Sequence, residues 1–185
     1  MLLVQDWLKT VYSETSSSKL NKHYKNWAKL YDKDMSSWGY AYPSQLKEIL
    51  SNQINLKKKI KILDAGCGTG YVAEVLNKLK YNNITGIDFS EEMIAIARSK
   101  KIYSRLICQS LNENIKLRSK QFELIICTGV LTSGHVGPRA LKELIRLIKK
   151  KGLFICSIAE SVYKKNGFEK EIKNLKNLVS IKSIS

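Results

Sequence analysis

The chain has 185 residues and sets 32 Lys+Arg against 16 Asp+Glu, a formal net charge of +16. That length suits one domain with a sizeable core, and 44% hydrophobic with 26% charged residues is an ordinary globular composition. Three classes are set aside: no apolar run approaches the roughly 20 residues of a membrane span, residues 1–7 lack the basic leader and apolar core of a secretory signal, and the four cysteines form no C-x-x-C pair of the kind that metal sites use. No metal is expected, and the cytoplasm is the expected location.

In chain order, residues 1–52 are expected to form a helical arm, with helices over 2–12, 20–31 and 43–51 and a polar break at 15–18. A second unit, 53–185, follows. Its alternation is regular: strand 61–64, helix 72–79, strand 84–88, helix 91–99, strand 104–108, strand 122–127, helix 138–150 and strand 153–158. Apolar residues recur at helical spacing at Met93, Ile94, Ile96 and Ala97, and again at Leu141, Leu144, Ile145 and Ile148. Ser90 with Glu91 and Glu92 makes a good helix start, and Gly152 after a lysine run suits a helix end. Apolar strands alternating with amphipathic helices predict an α/β, doubly wound, mostly parallel sheet covered on both faces. The tail reads as a loop, a helix over 169–177 and a last strand over 178–184.

The charge points weakly to nucleic acid. Arginine occurs only at Arg98, Arg105, Arg118, Arg139 and Arg146, so most of the 32 basic residues are lysine, and they scatter along the chain. A solvated surface is favoured over a phosphate-tracking stripe, because binding needs charge gathered on one face.

The most informative segment is Ile62-Leu63-Asp64-Ala65-Gly66-Cys67-Gly68-Thr69-Gly70. It reads as a strand, a glycine turn and a helix start. The dinucleotide pattern G-x-G-x-x-G would need its third glycine where Tyr71 stands. The turn is instead Asp-x-Gly-x-Gly-x-Gly, and it resembles the first motif of class I S-adenosylmethionine-dependent methyltransferases. The resemblance implies a Rossmann-like sheet of seven strands. Only five, with a sixth at most, can be found here, so a clipped carboxyl edge lacking the seventh is expected. An open edge of this kind invites self-association.

The resemblance also implies a site at the carboxyl ends of the strands. Backbone N–H groups of Gly66, Cys67, Gly68, Thr69 and Gly70 would favour the cofactor's carboxylate, and Asp64 would orient the loop and the methionine end. Asp88 would accept hydrogen bonds from both ribose hydroxyls, with Phe89 and Met93 against the adenine. The loop Gln109-Ser110-Leu111 would border that ring, although it offers Ser110 where many relatives carry an acid. Thr128 begins the segment facing the methyl group and the acceptor, which continues through Leu131 to His135. His135 is the candidate proton acceptor.

The aromatic-rich stretch around Trp27, Tyr31, Asp32, Trp38, Gly39, Tyr40, Tyr42 and Pro43 resembles the Williams–Beuren syndrome critical-region methyltransferase family. By that likeness Tyr31 would approach the methionine end, while Trp27, Tyr40 and Tyr42 shape a lid. The expected activity is methyl transfer from S-adenosyl-L-methionine to a small molecule. RNA or protein methylation, and cofactor binding without catalysis, are the competing readings.

Overall fold

The computed structural model describes residues 17–37, 39, 42–54 and 56–175. The helix expected over 2–12, the strand expected over 178–184, Trp38 and Tyr40 lie outside the described residues.

Helix α1 (Ser17–Ser37) carries Tyr24, Trp27, Ala28, Tyr31 and Met35 along one stripe, of which Trp27, Ala28 and Met35 are buried. α2 (Tyr42–Glu48) follows and runs into a π-helical turn, Ile49–Gln53. The remaining elements are β1 (Ile62–Ala65), α3 (Tyr71–Lys78), β2 (Ile84–Asp88), α4 (Glu91–Ser99), β3 (Arg105–Cys108), β4 (Phe122–Leu131), α5 (Arg139–Leu147), β5 (Ile148–Ile158), α6 (Glu160–Tyr163) and α7 (Phe168–Leu175). The five strands pair in parallel in the order β3-β2-β1-β4-β5.

Strand alternation splits the core between the two faces. Leu63, Ala65, Ile87, Ile125 and Cys127 pack with Leu141 and Leu144 of α5 and Phe168 of α7. Ile62, Ile84, Leu124 and Ile126 pack with Val72, Ala73 and Leu76 of α3 and with Leu46 and Leu50. This is the doubly wound arrangement that the alternation predicts. α4 begins as expected, with Ser90 Oγ accepting from the Met93 N–H at 3.3 Å; Met93, Ile94 and Ala97 are buried but Ile96 only partly.

Several boundaries differ from the sequence expectation: α1 begins at Ser17, inside the expected polar break, and runs to Ser37 rather than ending at 31, and α6 stands where the tail was read as a loop. The segment 148–151 belongs to β5 rather than to the preceding helix, because Ile148 pairs with Phe122 of β4. Three residues then bulge out, with Lys151 at φ +67°, before Leu153 pairs with Leu124. β3 and β5 are the two edge strands among the described residues, and the lysines and irregular backbone of β5 discourage a further strand from pairing there. β4 also runs longer than expected. It pairs at Cys127, loses register through 128–130 and pairs again at Leu131. A bulge of this kind re-aims side chains at a strand tip.

Candidate functional site

The strand order reverses between β1 and β4, and a crevice opens beyond the carboxyl ends of strands at such a point. A cavity of about 350 Å³ lies there, lined from the turn after β1, the ends of β2 and β4, the loop after β3 and helix α1.

The turn after β1 is held by backbone geometry. Gly66 has φ +76°, and a Cβ placed on it would lie 2.3 Å from Cγ2 of Val130; both the torsion and the space demand glycine. The Gly66 and Cys67 N–H groups donate to Ile87 O at 2.8 and 3.0 Å, and the Gly70 N–H donates to Cys67 O at 2.9 Å, so these donors, expected from the sequence to meet a carboxylate, are engaged within the fold instead. Asp88 closes the arrangement: Oδ2 accepts from the Gly68 N–H and Oδ1 from the Ser90 N–H, each at 2.9 Å. Burial pushes the Asp88 carboxyl up, and the N–H groups of Ser90 and Gly68 pull against it.

The structure brings Tyr31, Gly66, Cys67, Gly68, Thr69, Asp88, Phe89, Met93, Ser110, Leu111, Thr128 and His135 to the cavity wall. It places the other sequence candidates elsewhere. Asp64 lies behind the turn, buried, with Tyr103 Oη donating to its Oδ2 at 2.7 Å. Burial pushes its carboxyl up to about 7, against the pull of that hydrogen bond. Gly70 caps α3 at φ +93°. Gln109 turns into its own loop, donating to Asn114 O at 2.8 Å and accepting from the Lys116 N–H at 3.2 Å. Trp27 is buried beside Tyr31 and donates from Nε1 to Asp34 at 2.7 Å. Tyr42 and Leu131 border an adjoining space of about 190 Å³ that shares Gly129 and Val130 with the main cavity.

Several residues went unread in the sequence. Tyr24 lines the cavity from α1, one helical stripe with Tyr31 at i+7, a spacing that could have flagged it. Glu113 adds a second carboxylate beyond Ser110. Asn112 ties two loops together: its Nδ2 donates to His135 O at 2.9 Å and its Oδ1 accepts from the Gly137 N–H at 3.1 Å. Asp32 accepts from Thr69 Oγ1 and from Lys100 Nζ, both at 2.5 Å, and Lys100 also reaches Glu74 at 2.6 Å. Those contacts fasten α1 to the glycine turn.

On the far wall, His135 Nδ1 lies 2.8 Å from Ser133 O and Nε2 lies 2.7 Å from Tyr24 Oη. Burial holds the imidazole below its ordinary value, opposed by the bond to Ser133. Thr128 Oγ1 is the one buried side-chain oxygen or nitrogen without a hydrogen-bond partner among the described residues.

A phosphate-free nucleoside needs an apolar slot for its base, a carboxylate for its diol and polar groups at the far end. The cavity lining supplies each type: the apolar Val72, Phe89, Met93 and Leu111, the carboxylate of Asp88 and the unmatched Thr128 hydroxyl. A Cβ on Gly68 would meet nothing within 4 Å, so that stretch of backbone is open to a ligand. These residues fit an adenosyl group.

The comparisons define the class. The pattern of the "Methyltransferase domain" family matches residues 63–156, just over half the chain, and the chain belongs to that family. Its fold is the class I one: a structure from Methanococcus maripaludis, described among S-adenosyl-L-methionine-dependent methyltransferases, superposes with TM-score 0.64 at 18% identity, covering 89% of this chain and 86% of that one. The cofactor that this membership implies is S-adenosyl-L-methionine.

Among particular proteins, the chain is similar to human methyltransferase-like protein 27, at 30% identity over 72% of this chain and 54% of that protein. It is similar also to a malonyl-[acyl-carrier protein] O-methyltransferase of Bacillus cereus, at 30% identity over 74% of this chain and 53% of that one. The chain spans about half the length of the curated relatives it matches. No helix among the described residues is long and apolar enough to cross a membrane.

Proposed function

We propose that this protein transfers a methyl group from S-adenosyl-L-methionine to a small-molecule acceptor. The observation that carries the reading is Asp88, buried, fixed by two backbone N–H groups and facing the same cavity as the glycine turn. Asp88 would hold the ribose hydroxyls, a charge-assisted contact. Phe89, Met93 and Leu111 would enclose the adenine, with Ser110 or Glu113 near its amine. Gly66, Cys67, Gly68 and Thr69 would cradle the methionine end, beside Tyr31 and Thr128; Asp64 and Gly70 support that turn from behind, and Gln109 braces the loop under Ser110. When bound, the cofactor supplies a methyl carbon already activated by its sulfonium, so the protein's work is mainly alignment. His135 would take a proton from the acceptor.

The finer family reading, the Williams–Beuren syndrome critical-region methyltransferases, is carried by Tyr31-Asp32 and Gly39-Tyr40-Ala41-Tyr42-Pro43. In it Trp27, Tyr40, Tyr42 and Leu131 would shape the acceptor's side, and residues 1–52 would serve as a lid on a cofactor-binding unit over 53–185. A cytoplasmic setting suits four free thiols.

Calorimetry with S-adenosyl-L-methionine and S-adenosylhomocysteine tests the reading. Both bind to the unaltered protein, and Asp88→Ala weakens binding at least tenfold, since hydrogen bonds to a charged group contribute about 1.5–3 kcal/mol. Absence of heat with either compound, together with an unmoved melting temperature, would end it.

A further inference from the structure

We propose that Tyr24 and His135 form one proton-accepting pair, and that this pair, in a cavity with no cationic side chain among the described residues, selects a neutral hydroxyl-bearing acceptor, such as a phenol, over a carboxylate or phosphate. The proposal rests on the methyltransferase reading and adds the acceptor's chemistry to it.

The tautomer follows from one contact. Ser133 O is a carbonyl and can only accept, so the hydrogen between it and His135 sits on Nδ1, at 2.8 Å. In the neutral ring Nε2 is then an acceptor, and Tyr24 Oη donates to it at 2.7 Å. Burial favours the neutral ring, so the acceptor lone pair is available near neutral pH. The unit is held from several sides. Tyr24 packs edge-on against Phe89 at 5.9 Å and against the imidazole at 5.7 Å, while Asn112 anchors the His135 backbone. Both Tyr24 and His135 face the cavity, as does Thr128.

An acceptor hydroxyl that meets Tyr24 Oη has a continuous path for its proton. Its O–H bond breaks as the proton passes to Tyr24 Oη, and the proton of Tyr24 passes to His135 Nε2. The electron pair stays on the acceptor oxygen, which becomes the nucleophile, and the ring becomes imidazolium. Atoms and charge balance, and Tyr24 ends as it began.

The lining sets the acceptor's charge. Of 32 Lys+Arg in the chain, none lines the cavity among the described residues. The ionisable groups sharing it with the pair are Tyr31, Cys67, Tyr71, Asp88 and Glu113. Lys25, on α1, is turned to Glu92 at 3.2 Å. A carboxylate or phosphate placed here would lose its water and meet two carboxylates, with no cationic side chain among the described residues to offset them. A neutral phenol has no such penalty.

Nitrogen-15 NMR of imidazole-labelled protein tests this directly, because the chain has two histidines and His23→Gln leaves His135 alone. At pH 7, His135 shows the neutral Nδ1–H tautomer. Tyr24→Phe keeps the ring and the fold, moves the Nε2 resonance and raises the imidazole pKa, since the donor that favours the neutral form is gone. With S-adenosylhomocysteine bound, catechol perturbs Nε2 and benzoate at equal concentration does not. Turnover of catechol rises with pH through the His135 titration; Tyr24→Phe and His135→Gln each lose about 100-fold in kcat, with S-adenosylhomocysteine affinity changed less than about threefold. An Nε2–H or charged ring at pH 7, an Nε2 signal indifferent to Tyr24→Phe, or benzoate acting as strongly as catechol would overturn the pair. Failure of S-adenosylhomocysteine to bind, with the tautomer as stated, would instead overturn the methyltransferase reading beneath it.

Discussion

The two walls of the cavity are built on different principles. The β1–β2 wall is made of backbone: a turn at φ +76° over Val130, N–H groups spent on Ile87 O, and Asp88 fixed by two amides. The α1 wall is made of side chains: Tyr24 on His135, Asp32 on Thr69 and Lys100, Lys25 on Glu92. Backbone geometry tolerates little substitution, whereas side-chain contacts can be exchanged one at a time. The first wall is therefore rigid and the second adjustable.

The largest effect is expected at Gly66. Gly66→Ala places a Cβ against Val130 and forces a side chain into a positive-φ torsion; we expect about 3 kcal/mol lost in urea denaturation and no measurable heat with S-adenosylhomocysteine. A result under 1 kcal/mol would mean that the turn bends as freely as the helix opposite.

Asp64 sharpens the same wall through pH. Its folded carboxyl is raised from 3.8 to about 7 by burial, so between those values the native state keeps a proton that the unfolded chain has lost. Stability then falls as pH rises from about 4 to about 7 and levels above. Asp64→Asn should flatten that slope and stabilise the protein at pH 8 by about 1–2 kcal/mol, less whatever the Tyr103 bond contributed. Denaturant midpoints at pH 5 and pH 8 for both proteins give the answer.

On the α1 wall effects are smaller. Asp32→Asn should weaken S-adenosylhomocysteine binding about threefold and cost about 1 kcal/mol or less, with both differences shrinking as salt rises; a loss that salt leaves unchanged would contradict an electrostatic fastening. Smallest of all, Lys25→Ala removes a pair whose lysine is 64% exposed, and neither melting temperature nor cofactor affinity should move.

How far the sequence could be read follows the same division. The acid, the three glycines and Asp88 were legible because backbone torsion and strand ends leave residue-type signatures, and helix α4 was legible through Ser90 and its apolar spacing. Gly129 was not read as part of a bulge, since a loss of register in β4 depends on β5, which lies some 25 residues further along. The lysines before Gly152 resembled a helix end locally, yet pairing of Ile148 with Phe122 overrode that preference. Asp64 carried the right residue type, but only three dimensions reveal Tyr103 in front of it. Asn112 and Asp32 act through partners 23 and 37 positions away, distances at which no local pattern survives; for Tyr24 the stripe shared with Tyr31 marks the helix face but not its partner His135, 111 positions on.

Asp32 has a further consequence. It belongs to α1 yet grips Thr69, a residue of the very turn that lines the cavity. Any molecule that steadies this turn must therefore steady α1, and by reciprocity whatever steadies α1 must tighten the turn's hold by an equal factor. Protease cleavage within α1 thus becomes a gauge of occupancy: the slower the cut, the fuller the chamber.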